Sequence, residues 1–153
     1  MPKLYICVTC EKAITDSEGL SSLIALFNEL TVFIPEGATP PPPNAVVAKD
    51  WAIFSSWEME PEDEGKEFRE CFQVLYPDDT PFAQEISIPF RAVAGKKYNQ
   101  VIALSKGFPI GQQGRYAVQM RLEQDGVKVF GPVVIRMDVK YTPVPASSAA
   151  SAF

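Results

Sequence analysis

The chain contains no histidine. That absence removes Ser-His-Asp and Cys-His catalysis and takes away the commonest zinc ligand. An enzyme built here would have to run on carboxylates, lysine, tyrosine or cysteine. Clustered positive charge is missing as well. The net charge is −5, and only Lys96 and Lys97 are adjacent basic residues. Nucleic-acid binding needs a patch of cations that releases counterions, so it is excluded as a class. No apolar run approaches the roughly 18 residues of a membrane span. The opening "MPKLYICVTC" lacks the apolar core and cleavage site of a signal peptide. The expectation is a cytoplasmic chain with no membrane partner. Cysteine is scarce, at three residues, and unpaired thiols suit a reducing compartment.

What the sequence does contain is strand signal. Its 153 residues, 46% apolar and 22% charged, fit one globular domain. A chain of this size can bury a core without disulfides or metal. Leu4, Ile6 and Val8 alternate on one face. "TDSEG" at 15–19 is a turn cluster. The stretch 20–35 mixes a helical spacing (Leu23, Leu26, Phe27, Leu30) with a strand-like end, and reads as a strand in its β context. Pro40 to Pro43 then break the pattern, since a proline run cannot sit inside a sheet. Val46 to Trp57 is apolar on both faces, as expected of a central strand. Phe68, Phe72, Val74 and Tyr76 share one side of the next. Pro89, which has no N–H, marks an edge or bulge. Tyr116, Val118, Met120 and Leu122 point inward, with Arg115, Gln119, Arg121 and Glu123 outward. Asp125-Gly126 is a type I′ hairpin signal. Gly131-Pro132 predicts a bulge in the last strand. Together these give about eight strands and an all-β, antiparallel, immunoglobulin-like sandwich over 1–141, with a flexible Pro/Ala/Ser tail over 142–153. Strand parity sorts the turns between two ends. Segments 15–19, 58–66, 93–97 and 125–126 fall at one end; 35–45, 77–82, 108–114 and the tail fall at the other.

Each chemical motif has a plainer reading. Cys7-Val-Thr-Cys10 is a C-x-x-C, but it lies in a strand, where an offset of three puts the thiols on opposite faces. A zinc site would want four ligands, and only Cys71 remains. The acidic run Glu58, Glu60, Glu62, Asp63, Glu64 and Glu67 does not match the calcium-loop spacing. It reads as a solvated loop, with a cation or protein contact as the alternative. "GFPIGQQGRY" is glycine-rich, yet a strand follows it where a phosphate loop needs a helix N-terminus. Gly114-Arg115-Tyr116 resembles instead the tyrosine corner of immunoglobulin-like sandwiches. The terminal Phe153 stands behind Ser and Ala, without the alternating strand of an outer-membrane barrel.

As a set, the opening strand, "DSEGLSSLIALFNELTVFIP", "VLYPDDTPF" and "FPIGQQGRYAVQMRLEQDG" resemble a bacterial family of single-domain β-sandwich proteins, a domain of unknown function. The resemblance spans residues 3 to 140 and implies a fold. It carries no catalytic residues and no cofactor. The sequence therefore reads as a non-enzymatic protein-binding or assembly module with no metal, using a loop end or a strand edge, with self-association through an edge strand included. Its candidate contacts are Trp57, Phe108, Pro109, Ile110, Gln112 and Gln113. The alternative is a carbohydrate or small-ligand binder assisted by a cation at the acidic end.

Overall fold

The computed structural model describes residues 1–146. Nine strands are described: β1 (Lys3–Thr15), β2 (Ser21–Leu26), β3 (Glu29–Pro35), β4 (Val46–Glu58), β5 (Glu67–Leu75), β6 (Ile86–Arg91), β7 (Tyr98–Pro109), β8 (Gly114–Gln124) and β9 (Val127–Val144). They form two sheets, ordered β2-β1-β4-β7 and β3-β9-β8-β5-β6, packed face to face as an all-β sandwich. Every pairing is antiparallel except β3 with β9, which run parallel from Glu29↔Asp138 to Pro35↔Val144. That pair departs from the purely antiparallel expectation. Strand β9 also continues through Thr142, Pro143 and Val144, into the stretch expected to be flexible. Residues 147–153, the rest of that tail with Phe153, lie outside the described residues.

The core lies between the sheets. Trp51, Ile53 and Trp57 of β4 face Phe68, Phe72 and Val74 of β5 and the row Tyr116, Val118, Met120 and Leu122 of β8. All four residues of that row are 0% exposed, so the period-two alternation placed them correctly. The last strand bulges where expected: Met120 pairs Val133 and Leu122 pairs Phe130, leaving Gly131 and Pro132 opposite Arg121 alone. Asp125 and Gly126 both have positive φ, as the tight hairpin between Gln124 and Val127 requires. Pro89 sits in β6, an edge strand.

The ninth strand comes from 20–35, which is two strands. The chain leaves the first sheet at Phe27 and joins the second at Glu29. Phe27 N–H donates to Thr9 O at 3.0 Å, and Asp138 N–H donates to Asn28 O at 2.8 Å. The Phe27 ring is buried edge-on against Trp51 and Phe108, with centroids 6.1 and 5.7 Å away. This step changes sheet without reversing the chain.

The β1–β2 hairpin does not extend the first sheet outward. Pairing of β1 with β4 stops at Cys10↔Ala52, and β1 then pairs β2 alone. At its far end Ser21 Oγ donates to Gln100 Oε1 of β7, the strand at the opposite edge in the hydrogen-bonded order. The hairpin therefore folds back over the outer face of the sheet. Ala52, Phe54 and Ser56 alternate with the inward Ile53 and Ser55, yet they are buried too. Both faces of β4 are covered, which is why both are apolar. The fold-back also returns segment 15–19 toward the end that holds 58–66 and 93–97.

Candidate functional site

The expected contact surface around Phe108 is largely interior. Phe108 is 0% exposed, ringed by Phe27, Trp51 and Tyr116, and Pro109 is buried. Trp57, expected beside the acidic loop, is 0% exposed and meets the Phe130 ring edge-on at 5.2 Å. These three residues are withdrawn from the candidate surface. Alternation places Trp57 on the inward side of β4 with Trp51 and Ile53, while Phe108 ends β7 against the aromatic cluster.

The remaining candidates hold the loop end together. Ile110 N–H donates to Ala45 O, and its carbonyl accepts from the Tyr141 hydroxyl. Gln112 Nε2 donates to Asp78 Oδ2 at 2.9 Å, and Tyr141 N–H donates to Gln113 Oε1 at 3.3 Å. Tyr116 caps this turn: its hydroxyl donates to Gln112 O at 2.8 Å and accepts from Gln112 N–H at 3.2 Å. Burial pushes that phenol up to about 12, so it stays a hydroxyl donor. The glycine-rich stretch is thus a hydrogen-bonded turn.

The acidic run is matched by the chain's own cations. Lys3 Nζ lies 2.7 Å from Glu60, Lys97 Nζ 3.0 Å from Glu58, and the Met1 amino group 3.2 Å from Glu62. Asp63 is buried, in ion pairs with Lys66 and the Met1 amino group, and accepts from Glu60 N–H. Glu64 accepts from Gly95 N–H at 3.0 Å. Among the described residues no group of three or more Cys, Asp or Glu is arranged to hold a metal ion. Cys7 and Cys10 do face opposite ways: Cys7 packs against the inter-sheet core, and Cys10 is buried outside that cluster. All three cysteines are free thiols, and burial pushes Cys7 up to about 12. Such thiols are protonated and poorly nucleophilic.

Two features escaped the sequence reading. The first is the outer side of the folded hairpin. Leu20, Ile24 and Leu26 are 64%, 47% and 67% exposed, and Ile14 joins them. Among the described residues strand β2 pairs only β1, which leaves its other edge free. Between Ser21 and Leu26 there is neither charge nor proline, the usual devices that blunt an edge. The signal was present in "SSLIAL", but taking 20–35 as one strand hid it.

The second is a polar joint inside the sandwich. Glu70 of β5 is 0% exposed. Its Oε2 accepts from Ser55 Oγ of β4 at 2.7 Å, while Oε1 has no partner. The Trp57 indole N–H approaches the same carboxyl without completing a hydrogen bond. Asn99, the register partner of Trp57 on β7, has a buried Nδ2 with no partner either. Burial pushes the Glu70 carboxyl up to about 7, against the smaller opposing pull of Ser55 and Trp57. The alternation that put Phe68 and Phe72 inside already placed Glu70 between them.

The fold defines the class: an all-β sandwich of two sheets with a folded-back hairpin. No protein-family model matches the chain, and no curated protein is significantly similar to it. Among the described residues no helix is long and apolar enough to cross a membrane.

Proposed function

We propose that this protein is a non-enzymatic binding or assembly module that offers the β1–β2 hairpin to a partner protein. The observation that carries the reading is the free edge of β2, uncharged, proline-free and flanked by exposed Leu20, Ile24 and Leu26. Unpaired backbone groups beside apolar side chains are what an added strand recognises: the backbone supplies affinity and the alternate side chains supply specificity. The immunoglobulin-like assignment belongs to the same proposal. It is supported by the Tyr116 corner and by the orders β4-β7 and β5-β8-β9, which follow the B-E and C-F-G arrangement of that fold.

The test is the pair Ile24→Lys and Leu26→Lys. Both side chains are exposed, so the variant should keep its unfolding midpoint. Affinity capture from the native cell should lose the partner, and light scattering should lose any self-association. Equal capture and equal mass for variant and wild type would sink the reading.

A further inference from the structure

We propose that Glu70 is a proton-operated latch between the two sheets. Protonated, its carboxyl joins β5 to Ser55 of β4; ionised, it becomes a buried charge without a counter-ion and loosens that joint.

The geometry is specific. The carboxyl is fully buried and spans from one sheet to the other through a single 2.7 Å hydrogen bond. The groups facing it can be named element by element. Cys7 approaches from β1, Ser55 and Trp57 from β4, and Asn99 stands beside Trp57 on β7. Within its own sheet the register partners are Ile88 of β6 and Leu122 of β8. No lysine or arginine among the described residues contributes to its setting. The described buried side-chain atoms without a partner are Trp57 Nε1, Glu70 Oε1 and Asn99 Nδ2, and Asn99 is the register partner of Trp57.

A neutral carboxylic acid has no charge to compensate, and its carbonyl oxygen keeps the bond donated by Ser55. A carboxylate has about four lone-pair sites to satisfy and a charge to compensate. Burying an ion without a partner costs far more than burying a neutral acid, so the folded joint selects the protonated form. Ionisation breaks the O–H bond and sends the proton to solvent. The electron pair stays on a carboxylate that receives one hydrogen bond, from Ser55, and has an oxygen without a partner. Folding then favours protonation, and raising the pH works against the folded joint.

The composition makes this behaviour readable. With no histidine, the chain lacks the side chain that ordinarily titrates between pH 5 and 8. The Cys7 thiol titrates far above that window, and hydrogen bonds and charge from Glu62 and Asp63 outweigh desolvation to hold the Met1 ammonium above its ordinary value.

The experiment combines carboxyl 13C NMR of glutamate-labelled protein with denaturant unfolding from pH 5.5 to 8. In the wild type, one glutamate should titrate near neutrality and vanish from the spectrum of Glu70→Gln. The unfolding constant should rise on the order of twentyfold across that range in the wild type and stay flat in Glu70→Gln. Ser55→Ala removes the hydroxyl that favours the carboxylate, so it should move the Glu70 midpoint higher still. A Glu70 midpoint in the ordinary carboxylate range overturns the latch, as does one pH slope shared by wild type and Glu70→Gln. Should Glu70→Gln fail to fold, the wild-type titration and the direction of the Ser55→Ala shift decide.

Discussion

Glu70 and Tyr116 are polar side chains placed in the same core by the same alternation, with opposite consequences. Tyr116 finds both a donor and an acceptor role at Gln112. Tyr116→Phe should therefore cost about 1 kcal/mol, with Gln112 left partly unsatisfied, as denaturant melts would report. Glu70 finds one partner and keeps one oxygen orphaned. Its folded-state value, about 7 against an ordinary 4.5, is raised. The sign follows: its contribution is fully present below pH 4.5 and is lost as pH rises through 7. A shift of that size corresponds to about 3 kcal/mol. Glu85 runs the other way. Its fork to Arg121 lowers its value, so its contribution is present at neutral pH and is lost as pH falls through that lowered value. Stability measured against pH should peak on the mildly acid side, and Glu70→Gln should flatten only the neutral limb.

At the scale of elements, the glycine turn after β7 and β8 itself folded as their sequence implied, because glycine placement and alternation are local. Gly111 shows how tight that turn is. A Cβ there would lie 2.0 Å from Pro43 O, a backbone atom that cannot step aside. Gly111→Ala should destabilise by roughly 1–3 kcal/mol through overpacking, visible as a lower unfolding midpoint. The hairpin was not legible to the same degree. Nothing local in "SSLIALFNELTVFI" says that Phe27 and Asn28 change sheets. That step is fixed by bonds to Thr9 and Asp138, distant in sequence. For the same reason Trp57 and Phe108 looked like surface anchors. Their neighbours in sequence are a charged loop and a glycine turn, while their neighbours in space are Phe130, Trp51 and Tyr116.

At the scale of the whole molecule, charge is spent internally. Lys3, Lys66, Lys97 and the Met1 amino group sit on the acidic run, leaving no convergent cage of carboxylates there. Millimolar calcium should therefore leave the thermal unfolding midpoint unchanged; a rise of several degrees would restore the cation-assisted reading. By itself the sequence determined the β class, most turn positions, the inward row on β8, the bulge at Gly131-Pro132 and the opposite facing of Cys7 and Cys10. Each follows from period two and from residue-specific backbone preferences, which act over a few neighbours. Only the tertiary structure decided which loops are interior, that the hairpin folds over its own sheet, and that Glu70 meets Ser55 and Trp57 without a counter-ion. Those outcomes depend on which strands of opposite sheets face one another, and that is a property of the packed sandwich rather than of any strand in it.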